Sequence, residues 1–383
     1  MDPIYLDYNA TTPIDPEIAE TILPFIIHHY GNPSSTHAYG TFASQAVNNA
    51  RKQVSDMLNC DPEEVIFTSG GTESNNHAIK GIASTYRHKG NHIITSSVEH
   101  PAVAEVCQWL ETQGYRITYL PVDKLGSIDT VELETAITPD TILITIMHAN
   151  NEVGTVQPIR KITEIAHSRN VLVHTDAAQS AGKISVDVQD LGVDLLSLAG
   201  HKLYAPKGIG ALFVKRGTSL SKLMHGAGHE MGWRAGTENV IHITGLGKAC
   251  EMIKDNLDEY SRHMASMRNS LQTGLCLNIP TALFNGHPSQ RLPNTLSVSF
   301  QGLEADNLLS RLNRIAISAG AACHSDRIEI SSVLQAMAIP LDYAMGTLRI
   351  STGRFTTGEE IDIAISEITK VVTSGYTTKS QTG

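Results

Sequence analysis

The stretch VLVHTDAAQSAGKISVDVQDLGVDLLSLAGHK, residues 171–202, decides the fold. It opens on a β-branched apolar run, VLVHT at 171–175, and ends near another, DLLSL at 194–198, with a helix-length segment between them. Small and polar residues follow each run, DAAQSAG after the first and AGHK after the second. Two strands joined by such a crossover lie parallel in one sheet, so the residues that follow them collect at its carboxyl edge. Open α/β sheets bind ligands at that edge.

The same rhythm runs outward in both directions. EVIF at 64–67, HIIT at 92–95, RITYL at 116–120, TILITIM at 141–147 and GALFV at 210–214 read as further strands. TSGGTESNN, SSVEHPAV and HANNEVG add further polar clusters at strand ends. Upstream, Asp15-Pro16-Glu17 supplies an N-cap, a proline at the first helical position and an acidic first turn, so a helix begins there. The fold class is therefore α/β, with a mainly parallel, doubly wound sheet. From about Glu251 the pattern changes to a long charged helix, EMIKDNLDEYSRHMASMRNSLQTGL, followed by the short strands TLSVSF, IAIS and LRIST. These mark a smaller α+β C-terminal domain. The expected division is a large domain over 14–254 and a small one formed by 1–13 and 255–383.

A chain of 383 residues exceeds what one compact core usually serves, in keeping with two domains. Its formal net charge of -10 disfavours a nucleic-acid surface and favours small-molecule or protein partners. The five cysteines lie far apart without a C-x-x-C pair, which suggests neither a disulfide framework nor a metal site and fits a reducing cytoplasm. No signal segment and no apolar run of bilayer length is read.

At the sheet edge, Gly70, Gly71 and Thr72 stand between a strand and a helix, and bare amides at a helix N-terminus cradle phosphate. The pattern is not G-x-G-x-x-G, so a dinucleotide site is disfavoured. Asp176 directly follows a strand, where it either caps the next helix or faces a cation. Lys202 is either a snorkelling surface lysine or a reactive amine. His100 precedes a proline-started helix, and Asn151 ends another strand. A phosphate cradle, a carboxylate for a ring nitrogen, an imidazole to stack on a ring and an amine together describe pyridoxal 5'-phosphate bound to Lys202.

YLDYNATTP, GNPSS, FTSGGTESNN, EHPAV, MHANNEVGTVQP, HTDAAQSAGK, GHKLYAPKGIGAL, HGAGHEMGWRAGTENV, SAGAACHSD and LRISTGRFTT together resemble the NifS/IscS-like cysteine desulfurases of the class V aminotransferase superfamily. Selenocysteine lyase is a close relative of that pattern. The resemblance runs from about Tyr5 to Thr357 and implies a fold-type I homodimer with its site between the domains. It assigns Lys202 to the cofactor aldehyde, His100 to the ring face and Asp176 to the ring nitrogen. Gln179 and Asn151 map to the neighbourhood of the phenolate oxygen and the substrate. Thr72, with Gly71, and His201 map to the phosphate, and Thr237 to a phosphate contact donated by the partner subunit. Arg349 maps to the substrate carboxylate, with Asn32 close by.

The resemblance also assigns Cys323 to sulfur acceptance, on a loop whose length is like that of the IscS branch. Cys60, Cys107, Cys250 and Cys276 read instead as small buried hydrophobes. One departure stands out: Ala199 occupies a position where many relatives carry a phosphate-binding serine. The implied reaction converts L-cysteine to L-alanine, leaving a persulfide for an acceptor such as an iron–sulfur scaffold protein. L-selenocysteine is the alternative substrate. Another pyridoxal-phosphate enzyme, such as an aminotransferase, or a silent scaffold are the further alternatives.

Overall fold

The computed structural model describes the backbone of residues 3–324 and 327–382, and the side chains of these except 321–329 and 378–382. Among the described residues, eight strands precede the long helix: β1 (Ile4–Tyr5), β2 (Val65–Thr68), β3 (His92–Ser96), β4 (Arg116–Leu120), β5 (Thr141–Thr145), β6 (Leu172–Asp176), β7 (Leu195–Ala199) and β8 (Gly210–Val214). All but β1 form one sheet, in the order β2-β8-β7-β6-β5-β3-β4. Strands β3 to β7 pair in parallel, while β8 runs antiparallel to both β7 and β2. Strands β2, β3, β5, β7 and β8 are buried along their whole length, as expected of a sheet covered on both faces.

Four helices bear on the site and its surroundings: α1 (Pro16–Ile27), α2 (Ala38–Leu58), α3 (Gly71–Tyr86) and α4 (Pro101–Thr112). Helix α1 starts where the sequence signalled it, with the Asp15 carboxylate accepting from Glu17 N at 3.0 Å. The long charged helix begins earlier than expected, at Val240, because Asn239 caps it and its first turns pack into the core of the large sheet. It runs to Asn278, where Leu271 and Leu275 enter a second core built on the small sheet. The position expected for the domain division, 254/255, therefore falls inside a continuous helix.

The second sheet contains β9 (Leu283–Asn285), β10 (Thr295–Ser299), β12 (Ser318–Ala319) and β15 (Thr347–Ser351), in the order β12-β15-β10-β9. The run IAIS is split: β11 (Ile315–Ala316) leaves this sheet to pair in parallel with β1, tying the N-terminus to the C-terminal part. Strands β13 (Ala321–His324) and β14 (Arg327–Ile330) form a separate antiparallel pair. Cys107 and Cys250 are buried as expected, but Cys60 is only partly buried and Cys276 is exposed. Cys276 lies in the last turn of the long helix, on the side away from the core that Leu275 enters. No helix among the described residues is long and apolar enough to cross a membrane.

Candidate active site

A cavity of about 380 Å³ opens where the carboxyl ends of β2, β5, β6 and β7 meet the N-terminal segment and β15. Gly71, Thr72, His100, Asn151, Asp176, Gln179, His201, Lys202 and Arg349 all line it, so nine of the residues singled out in the sequence converge on one space. Thr237 and Asn32 do not line it and lie nearer the surface; the Asn32 carboxamide oxygen accepts instead from Ser34 N at 2.9 Å. The side chain of Cys323 lies outside the described residues, although its backbone belongs to β13.

The floor is made of charge. Asp176 is the last residue of β6 and is buried; its carboxylate accepts from Asn75 Nδ2 at 2.7 Å and from Ala178 N at 2.9 Å. Both bonds hold the carboxylate at the wall of the cavity, which Asp176 lines. Lys202 follows β7 in a tight helical turn, and its Nζ donates to the carbonyl of Ala10 at 2.7 Å and to that of Asn9. Burial, then the Arg349 guanidinium, lowers the Lys202 amine from its usual range to about 8, against the pull of Asp7 and Asp176. An amine so placed has a substantial neutral fraction near neutral pH, which a nucleophile or base requires.

One wall is the start of α3. Gly70 has φ 149°, a conformation open to glycine, and the first intrahelical donor bond is Ser74 N to Gly70 O at 3.1 Å. The amides of Gly71, Thr72 and Glu73 therefore begin the helix without intrahelical acceptors. A side chain on Gly71 would stand 3.3 Å from the Ala199 Cβ, so the cradle and the end of β7 nearly touch. Ala199 contributes no hydroxyl there.

His100 caps α4, its Nδ1 accepting from Ala102 N at 3.1 Å, so its Nε2 carries the proton of the neutral ring. Desolvation lowers its pKa, and Lys202 does so further, against the attraction of Asp176. Behind it, Glu99 is buried, with Oε1 accepting from Ser96 Oγ at 2.6 Å and from Met147 N at 3.0 Å; burial pushes its pKa up to about 8. On the far side, Arg349 Nη2 donates to Asp7 Oδ1 at 2.9 Å and Ser318 Oγ at 3.0 Å, while its buried Nε meets no acceptor among the described residues.

Sequence reasoning missed Asn9, Asn75 and Lys183. Asn75 lies one helical turn after Gly71 in TESNN, which puts its carboxamide on the face turned to β6. Lys183 follows Gln179 by four residues in AAQSAGK. Asn9 in YNATT gave no signal of its own, because only the folded chain brings residue 9 against residues 151, 183 and 202.

The outer loop 225–239 stands apart from the cavity but is fastened to it. Glu230 is buried and accepts from Arg51 Nη1 and Nη2, both at 2.8 Å, and from Phe67 N at 2.8 Å. Glu230 and Met231 both hold positive φ, 47° and 55°, a strained backbone for such residues. Further on, Arg234 Nε reaches Glu73 Oε1, in the first turn of α3, at 2.8 Å. Burial favours the neutral form of Glu73, but bonds from Arg234 and Ser69 keep its pKa below the usual value.

Residues 4–363 match the family model "Aminotransferase class-V". Class-V aminotransferases are pyridoxal-phosphate-dependent enzymes. The chain is 48% identical over 371 residues to a cysteine desulfurase IscS of Methanosarcina thermophila, covering 96% of this chain and 92% of that protein. It is 45% identical to a cysteine desulfurase of Mus musculus, over 94% of this chain and 80% of that protein. A solved NifS-like protein superposes with a TM-score of 0.91 at 37% identity, covering 97% of this chain and 99% of that one. The chain belongs to the NifS/IscS-like cysteine desulfurase family.

Proposed function

We propose that this cavity holds pyridoxal 5'-phosphate on Lys202 and L-cysteine against Arg349, and that the enzyme desulfurates L-cysteine to L-alanine with transfer of the sulfur to Cys323. The observation that carries this reading is the meeting, in one cavity, of a depressed-pKa amine, a buried carboxylate held by two hydrogen bonds, and bare helix amides. The donor set fits the cofactor: the amides of α3 with Thr72 and His201 suit the phosphate, Asp176 the ring nitrogen, His100 the ring face, and Gln179 and Asn151 the phenolate side. When bound, the cofactor's ring serves as a sink for the electron pair released at the substrate Cα.

The chain's own groups do the rest. Lys202 Nζ would hold the cofactor aldehyde and, as a free amine with its pKa lowered to about 8, is a base placed to take a proton at the substrate Cα. Arg349 lines the cavity, and its planar guanidinium is well suited to a substrate carboxylate. A structure described as SspA in complex with cysteine, 36% identical with a TM-score of 0.79, supports a cysteine-sized substrate on this fold. Cys323 as thiolate attacks the substrate sulfur; an S–S bond forms, the Cβ–S bond breaks, and its electron pair stays with the carbon skeleton, which takes a proton to give alanine. Thiol plus cysteine thus yields persulfide plus alanine with no external oxidant. The persulfide then passes to a sulfur acceptor such as an iron–sulfur scaffold protein. In a homodimer, Thr237 of each chain would reach the partner's phosphate site.

The test is the visible spectrum of the purified protein with and without L-cysteine, together with alanine release and cyanide detection of persulfide. A yellow protein whose Cys323→Ser variant keeps its colour but releases no alanine from L-cysteine supports the reading. Wild-type alanine release by that variant sinks the role of Cys323, and a keto acid product sinks the desulfurase.

A further inference from the structure

Lys183 is enclosed in the molecule, with 4% of its surface exposed, and does not line the cavity. A lysine is almost never buried in this way without partners. Its Nζ donates to two groups, Gln179 Oε1 at 2.9 Å and Asn9 Oδ1 at 3.1 Å. Burial, then Lys202 and Arg349, hold its pKa well below the ordinary value, and the amine supplies an N–H to each of those two oxygens.

Both acceptors are amides that line the cavity, and an amide can present either its oxygen or its nitrogen. With Gln179 Oε1 bound to Lys183, its Nε2 donates to Asn9 O at 3.0 Å, the same carbonyl that receives Lys202, and both residues line the cavity. Asn9 is held in the same sense: Oδ1 also accepts from Asn294 Nδ2 at 3.0 Å, and Nδ2 donates to Thr295 Oγ1 at 2.8 Å. Among these partners only Lys183 engages the oxygen of Gln179.

We infer that Lys183 is a positioning residue: from behind the cavity wall it fixes the amide of Gln179 so that a hydrogen-bond donor faces the bound cofactor. This rests on the reading of the cavity as a pyridoxal-phosphate site. It adds a residue that touches neither cofactor nor substrate and acts through one that does. Without Lys183 the buried Gln179 oxygen lacks its partner. An unsatisfied buried acceptor is disfavoured, so the amide turns or shifts to find another.

A double-mutant cycle on the dissociation constant of pyridoxal 5'-phosphate, read by equilibrium dialysis beside the position of the visible band, tests this. Gln179→Leu is expected to weaken binding about tenfold, as the loss of one good hydrogen bond in a buried site does. Lys183→Met, which removes both donors at similar volume, is expected to weaken binding to a comparable degree and to move the band in the same direction. In the Gln179→Leu background Lys183→Met should then change little. Lys183→Gln, which keeps N–H donors, should stay within about twofold of wild type, and it serves as the test if Lys183→Met does not fold. Multiplicative effects, an unchanged band in Lys183→Met, or a tenfold loss in Lys183→Gln overturn the inference while the site reading stands. No effect of Gln179→Leu on affinity or band overturns both.

Discussion

The cavity floor and the outer loop 225–239 are built in opposite ways. On the floor, Asp176 and Lys202 emerge from adjacent parallel strands and are held by short bonds to groups of the same cavity. The loop has little regular structure, carries two residues of strained backbone, and is anchored by Glu230 to Arg51 and by Arg234 to Glu73. The floor residues face the cavity, whereas Thr237 at the loop's end stands away from it. A strand end aims a side chain through the ladder that fixes the strand, while a loop needs separate ion pairs to aim anything. What the loop aims at lies, in our proposal, on a second subunit.

The largest expected effect breaks the floor. Lys202→Ala should abolish the visible band and lower alanine release by about 10²–10⁴-fold or more, the range lost with a catalytic base. In the cofactor-free protein, labelling of Lys202 by a small amine reagent should rise as pH passes about 8, since the neutral form reacts and its fraction grows with pH. Mass spectrometry would show the site; labelling that begins only near the ordinary lysine pKa of about 10.4, with surface lysines, would contradict the depressed value.

Next in size is the loop's anchor. Glu230→Ala leaves Arg51 buried without its carboxylate, and breaking such a pair costs about 3–5 kcal/mol, read in a denaturant titration. If the loss is under about 1 kcal/mol, the anchor is not what holds the strained turn. Arg349→Ala removes a charge-assisted partner for the substrate carboxylate, worth about 1.5–3 kcal/mol. It should lower kcat/KM for L-cysteine by about tenfold to 10²-fold, with the cofactor band kept.

The smallest effects sharpen the contrast. Thr237→Ala should leave stability within about 0.5 kcal/mol, as expected of a surface side chain. It should nonetheless weaken cofactor binding about fivefold, the worth of one hydrogen bond, if the residue reaches a partner's site. Mixing it with Lys202→Ala chains should then restore some competent sites. Equal affinity in wild type and variant would remove Thr237 from the site. Asn32→Ala, which loses only a local turn bond to Ser34, should also stay within about 0.5 kcal/mol in stability.

Much of the site was legible because it is local. The residues at 71–72, 100, 151, 176, 179 and 201–202 all lie at or after the carboxyl ends of strands that run the same way in one sheet, so they collect at the same edge. Where reading failed, the missing information was long-range. The charged pattern of the long helix begins at Glu251, but the helix itself starts at Val240, with first turns that are apolar and small on the faces that pack into the large core. Cys276 read as buried on residue type, yet helix phase turns it outward beside the buried Leu275.

The sequence by itself determined the alternation of strands and helices, and with it the edge at which Asp176 and Lys202 meet, because hydrophobic period and turn residues act over a few positions. It also carried the pattern of the cysteine desulfurase family. Only the tertiary structure decided that the carbonyls of Asn9 and Ala10 receive the Lys202 amine, that Asp7 faces Arg349 across 342 positions of chain, and that Lys183 stands behind Gln179. Such contacts join segments whose separation in sequence says nothing of their distance in space. The depressed pKa of each amine is decided there too, since it comes from the burial and the neighbouring charges that packing creates.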